Sequence, residues 1–219
     1  MHTPEDEYPW VFGRDDIDLL EDEIEDLFQQ FGRGANKTSD VEVQVLQEQV
    51  ETEERSDAEL AERLGLSMLE PRADSTSPGG FHSSATSSPQ IDNMRLHPLY
   101  QRARAWAQEL RAWSKAAYET GTPGKGDVFR VYANVNLVPI KLFTGLHEEQ
   151  HGDAIGLEVA EQEYQLALTY LERIIESLTL VLVLEEGIGP LVSLRGQAEE
   201  LRAIVVGQLA AVRRKKGQV

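Results

Sequence analysis

Polar and apolar residues alternate with a helical period through most of the second half of the chain. In four consecutive segments, apolar positions recur three or four residues apart, which is the spacing of one face of an α-helix. The segments cover about residues 97–119, 127–146, 153–186 and 190–214. Four such segments in sequence predict an all-α fold, in which residues 93–216 form an antiparallel four-helix bundle.

One proline interrupts the second of these segments. Pro139 has no amide donor and its ring clashes with the preceding turn, so a kink is expected near Val135 and Asn136. Asn134 and Asn136 flank this point. They are expected to cap the carbonyl that Pro139 leaves without a partner; the alternative is that they point into a pocket.

The third segment has a wider apolar face than a bundle requires. Its stripe consists of Tyr164, Leu168, Leu171, Ile175, Leu178 and Leu182. Further apolar residues lie between these positions, at Ile174, Leu180, Val181, Val183 and Leu184. Either N-terminal segments of the same chain cover this surplus, or a second copy does in a homodimer.

Residues 1–73 form a different region, which we interpret as a largely disordered acidic arm containing short amphipathic helices. Between Asp16 and Phe31 the apolar residues are spaced by three and four, and nearly all other positions are Asp or Glu. A helix of this kind can bind in the groove of a partner protein. The predicted contact residues are Trp10, Phe12, Ile17, Leu20, Ile24, Leu27 and Phe28. The alternative is that the stripe packs onto the protein's own bundle.

The rest of the arm is less clearly patterned. Between Val41 and Val45, apolar and polar residues alternate, which fits either a short strand or a helix. A capping-box pattern starting at Ser56 predicts another short helix, ending near Leu64. Residues 74–92 are rich in Ser, Pro and Gly, and we predict a linker there because such a composition buries too little apolar surface to become ordered.

Charge divides the chain at the same boundary. Residues 1–96 hold 23 acidic and 7 basic side chains, whereas residues 97–219 hold 15 and 14. The net charge of −17 disfavours binding to nucleic-acid phosphates or to an anionic membrane, because both would be repelled. The expected partner is another protein with a basic or apolar groove, toward which the carboxylates would steer the arm.

Cysteine usage and hydropathy indicate a compartment. The chain contains no cysteine, which excludes disulfides and thiolate metal sites. It begins without the basic and apolar segments of a secretory signal, and its longest apolar run, Leu178 to Leu184, is far shorter than the roughly 20 residues of a membrane span. We therefore expect a cytoplasmic protein.

One short motif could carry chemistry. His147-Glu148-Glu149-Gln150-His151 resembles the H-E-x-x-H motif of zinc metallopeptidases, in which the histidines bind the metal and the glutamate acts as general base. Glu148 and His151 also match the E-x-x-H ligand pair of di-iron bundles, although a second pair is absent from the sequence. Glycines at 145 and 152 bracket the motif and favour a polar connection between the second and third helical segments.

These observations predict a non-enzymatic interaction or adaptor protein, built as a helical bundle with an acidic docking arm and needing no cofactor. The alternative is a metal-binding bundle or a metal-dependent hydrolase. In that case His147, Glu148 and His151 would bind zinc or iron.

Overall fold

The computed structural model describes residues 16–31, 40–66, 95–184 and 189–218. These residues contain α-helices and no β-strand, so the all-α prediction is confirmed for them. The helices are α1 (Asp16–Phe31), α2 (Asp40–Arg63), α3 (Pro98–Thr120), α4 (Lys125–Asn134), α5 (Leu137–His151), α6 (Ala154–Leu184) and α7 (Gly189–Lys216). In this part of the chain, no helix combines the length and the apolar character needed to cross a lipid bilayer. The predicted linker, 74–92, lies outside the described residues.

The C-terminal helices pack together around one main core, as predicted. α3 and α6 each pack against α4, α5 and α7, which places α3 and α6 on opposite corners of the bundle. The largest fully buried side chains come from α3, α4, α5 and α6, and include Tyr100, Trp106, Leu110, Phe129, Leu142, Tyr164, Tyr170, Leu171 and Leu178. Burial of each such side chain contributes about 1.5–3 kcal/mol, so this core supplies most of the stabilisation.

The expected kink in the second segment is present as a break between two helices. α4 ends at Asn134 and α5 begins at Leu137, so Pro139 lies in the first turn of α5, where a helix needs no amide donor from it. The expected role of the asparagines is wrong. Asn134 donates to the carbonyl of Arg130 at 2.7 Å, whereas Asn136 donates to the carboxylate of Glu23 in α1, also at 2.7 Å.

α2 joins two segments that appeared separate in the sequence. It is helical from Asp40 through Arg63, which resolves the ambiguity at Val41 to Val45 in favour of a helix. Ser56 does not begin a helix as the capping-box pattern predicted. It lies buried inside α2, where its hydroxyl and its carbonyl accept hydrogen bonds from Gln162 of α6. The local capping pattern therefore does not start a helix here, and Ser56 instead contacts a residue 106 positions away in the sequence.

Only part of the wide apolar face of α6 is buried. α2 packs against α4 and α6, and in α6 both Ile174 and Val181 are fully buried. Toward the end of α6, Leu180 and Leu184 are about half exposed and Val183 is 76% exposed. Ile174 and Val181 belong to the main core of the bundle, and the homodimer stays a prediction for the exposed C-terminal end of α6.

Candidate functional site

The apolar stripe of α1 packs against the protein's own bundle. Leu20 and Leu27 are 8% and 4% exposed, while Ile17 and Ile24 contact the main core from its edge. Phe28 joins a second apolar cluster, formed with α2 and α4. Five of the seven predicted docking residues therefore contact this chain, as in the intramolecular alternative. The other two, Trp10 and Phe12, lie outside the described residues.

A row of cations on the bundle faces the two acidic helices. This cation row consists of Arg111, Arg130, Lys141 and Arg173, one from each of the helices α3 to α6. Their side chains are only 13–22% exposed, so they belong to the interface and not to the open surface. Charged side chains that are largely buried are stable only when they are paired, so each cation of the row needs a carboxylate beside it.

Carboxylates of α1 and α2 form these pairs with the cation row. Glu23 of α1 accepts from Arg111 at 2.7 Å. Glu48 of α2 lies 2.9 Å from an Arg130 nitrogen and 3.1 Å from an Arg173 nitrogen. Glu53 of α2 accepts from Lys141 at 2.7 Å. The strongly negative arm and the nearly neutral bundle are therefore electrostatically complementary where they meet.

An open groove of about 470 Å³ remains between α1, α2 and α5. Its apolar lining includes Ile24 and Phe28 of α1, Val50 of α2, and Leu137 and Ile140 of α5. Polar lining comes from the acidic side chains of α1 and α2 together with Lys141 and Tyr170. The groove thus combines an apolar floor with a rim of five carboxylates and a single cation, Lys141, which is already paired with Glu53.

Lys141 lies among more carboxylates than it can neutralise. Its ammonium is 2.7 Å from Glu53 and 3.6 Å from Glu163, and Tyr170 donates a hydrogen bond to Glu53. Burial alone would lower the pKa of Lys141, but Glu163 and Glu53 outweigh burial and raise it. Burial raises the pKa of the Glu163 carboxyl to about 7, against the attraction of Lys141. Glu163 therefore accepts a proton near neutral pH.

The histidine motif occupies the last turns of α5. The expectation of a polar connection at residues 147–151 is wrong, because α5 continues through Gly145 to His151 and ends at Gly152, which has a φ of 68°. His147 Nε2 and His151 Nε2 are 3.4 Å apart. The ligand atoms of His147, Glu148 and His151 all lie within 4.8 Å of one another, and the three side chains are exposed or half-buried.

The neighbouring glutamate of the motif has a structural role. Glu149 accepts hydrogen bonds from Tyr164 at 2.7 Å, Gln208 at 3.3 Å and Lys215 at 2.7 Å. It therefore ties the end of α5 to α6 and α7. Glu148 points elsewhere and has no hydrogen-bond or ion-pair partner among the described residues, so its carboxylate is available for a ligand.

Comparison with known proteins identifies no relative. No protein-family model matches the chain, and no curated protein or solved structure is significantly similar to it. The functional argument consequently depends on the geometry of this chain alone.

The cation row was not recognised from the sequence, although a signal for it exists. Each member stands directly beside a fully buried apolar residue, as Arg111 does beside Leu110 and Arg173 beside Ile174. A cation at such a position lies at the border of the apolar face. Examining these border positions, instead of the net charge of the bundle, would have indicated a basic surface facing the acidic arm.

Proposed function

We propose that this protein is a non-enzymatic protein-interaction module, in which α1 is a docking helix that exchanges between its own bundle and a partner protein. The observation that carries the proposal is the seating of α1: its apolar stripe lies on an apolar surface while Glu23 accepts from Arg111. This is the surface chemistry expected of the partner, an apolar groove bordered by cations.

The length of α1 supports this exchange. A helix of 16 residues is marginally stable in water, so α1 needs an apolar surface in order to remain helical. Its own bundle supplies one such surface, and a partner with a similar groove would compete for the same stripe. The predicted contacts Trp10 and Phe12 would add to binding in the partner complex.

α2 is the more firmly attached of the two helices. Along its length it is tied to the bundle by Gln49, which donates to the carbonyl of Ala133 at 2.8 Å, and by Glu48, Glu53 and Ser56. It therefore keeps the bundle covered while α1 exchanges.

The proposal also places the interaction in the cytoplasm, with which a chain free of cysteine is compatible.

The test is affinity capture from the source cell with four forms of the protein. These are the full chain, the double variant Leu20→Asp/Ile24→Asp, the control Leu19→Asp, and a truncated chain that begins at Ile91. Leu19 is a matched control because it adjoins Leu20 on α1 but is 49% exposed. We expect a partner that the full chain and Leu19→Asp retain and that the other two forms lose.

Thermal unfolding of each variant separates loss of docking from loss of the fold. A partner that is held equally by the double variant, or by the truncated chain, would contradict the proposal and assign binding to the bundle surface.

A further inference from the structure

The end of α5 brings two histidines into the geometry of a metal site. Residues four apart lie on the same face of a helix, and here Nε2 of His147 and Nε2 of His151 are separated by 3.4 Å. Zinc–nitrogen bonds are about 2.0–2.1 Å long, and two such bonds at a tetrahedral angle place their nitrogens about 3.4 Å apart. The distance between the two nitrogens therefore matches one edge of a tetrahedral zinc site.

A third donor stands beside this edge. A carboxylate oxygen of Glu148 and one ring nitrogen of each histidine lie within 4.8 Å of one another. Among the described residues no cation pairs with Glu148 in place of a metal ion, because Lys215 pairs with Glu149 instead, at 2.7 Å. Two imidazoles and one carboxylate form a donor set that suits zinc and other divalent transition metals, and leave a fourth position for water.

The backbone around these residues is fixed. At Gly156, in the first turn of α6, an added Cβ would lie 2.8 Å from the carbonyl oxygen of Glu148 and 3.4 Å from the Cβ of His151. Asp153 caps α6 by accepting from the Gly156 amide at 2.6 Å. The start of α6 is thus packed directly against the motif and holds its turn in place.

The position within the helix adds a favourable field. The carbonyls of the last turn of a helix carry partial negative charge, which stabilises a cation there. His151 is the last residue of α5. A divalent ion bound at this pair would therefore be stabilised by the helix end as well as by its ligands.

We propose that His147, Glu148 and His151 bind a divalent transition metal ion, with zinc as the principal ion. The site is independent of the docking function proposed above, because among the described residues no hydrogen bond or ion pair joins it to α1 or to the cation row. It lies at the corner between α5 and α6, where a bound ion would stabilise the native state over the unfolded chain.

The test is calorimetric titration of Zn²⁺ into the full chain, purified without a histidine tag and in excess Mg²⁺. Because Mg²⁺ prefers oxygen ligands, the excess suppresses binding to carboxylates alone. We expect one zinc per chain, with affinity lowered more than about tenfold in His147→Gln and in His151→Gln, since even outer-shell changes cost about 10–100-fold. Glu148→Gln is expected to weaken binding as well.

His82→Gln is the control, because His82 is not one of the three proposed ligands. Far-UV circular dichroism of each variant reports whether the fold is retained, and the exposed position of His151 favours retention. Absence of zinc binding to the full chain would overturn the proposal, and so would binding that persists in His147→Gln/His151→Gln. Unchanged affinity in Glu148→Gln would overturn the three-ligand assignment.

The Co²⁺ complex supplies a second readout. We expect intense visible absorption, typical of four-coordinate Co²⁺, from the full chain and from His82→Gln, and its loss in His151→Gln. An equally intense spectrum in His151→Gln would contradict the assignment of that residue as a ligand.

Discussion

Glu163 faces Lys141 from the neighbouring helix, at a depth where only 16% of its side chain is exposed. Its Oε2 atom makes no hydrogen bond among the described residues. Glu53 and Asp57 of α2 add further negative charge, and together with burial they raise the pKa of Glu163 to about 7. At neutral pH Glu163 is therefore partly protonated in the native state, whereas it is ionised in the unfolded chain.

This proton makes stability depend on pH in a defined direction. Because the pKa of Glu163 is higher in the folded state than its ordinary value of 4.5, its contribution to stability is complete below pH 4.5 and is lost as the pH rises through 7. Glu163→Gln is uncharged at all pH values. We expect it to raise the free energy of unfolding at pH 8 by about 1–3 kcal/mol and to change it little at pH 4.5.

Urea unfolding at the two pH values measures this difference. Glu119→Gln is the matched control, because it removes the same charge from an exposed position of α3. A gain of stability in Glu163→Gln that is equal at both pH values would refute the role of the raised pKa.

Gly145 provides a second prediction at the scale of one residue. An added Cβ would lie 2.8–3.3 Å from ring carbons of Tyr164, which is fully buried and held by its hydrogen bond to Glu149. Gly145→Ala should therefore destabilise the fold by up to about 2 kcal/mol, because overpacking costs about 1–3 kcal/mol and helix propensity returns only about 1 kcal/mol.

Gly207 in α7 is the control for that substitution. It is exposed, and an added Cβ meets nothing within 4 Å. Gly207→Ala should stabilise by about 0.5–1 kcal/mol in the same urea experiment. Equal changes in the free energy of unfolding of the two variants would show that the Tyr164 ring moves aside without destabilising the fold.

At the scale of elements, α1 is attached through a stripe and a polar anchor. Glu23 receives hydrogen bonds from Arg111 and from Asn136, which is almost fully buried. Removing the carboxylate of Glu23 leaves the donors of Arg111 and Asn136 without this acceptor. Since hydrogen bonds to charged groups contribute about 1.5–3 kcal/mol, Glu23→Ala should accelerate amide hydrogen exchange within α1 by about tenfold or more.

Exchange within α3 and α6 serves as the internal reference for this experiment and should not change. The control variant is Glu25→Ala, because Glu25 is exposed and contacts Gln29 within α1. Equal acceleration in both variants would mean that the stripe alone holds α1 in place.

At the scale of the whole molecule, the uneven charge of the chain has an internal explanation. The acidic helices α1 and α2 lie over the cation row, so part of their charge is neutralised by the bundle. Cations of α7 form a second group of ion pairs. Lys216 and Arg213 of α7 pair with Glu161 of α6, and although burial would raise the pKa of Glu161, these two partners lower it.

The sequence predicted the parts of the fold that depend on local pattern. The spacing of apolar residues determined the helices and the main core, and Pro139 marked the break between α4 and α5. Helical periodicity is a property of each segment by itself, so it can be recognised without knowing what the segment contacts. The candidate metal ligands could also be named, because residues four apart on a helix share a face wherever the helix lies.

Only the tertiary structure decided which surfaces meet. Ser56 lies within α2 because Gln162 binds it, and Asn136 contacts Glu23 across 113 residues. As a sequence pattern, the apolar stripe of α1 is equally compatible with a partner's groove and with the protein's own bundle. In the structure it lies on the bundle. The physical reason is that burial and ion pairing depend on the positions of distant residues, whereas periodicity depends only on neighbours along the chain.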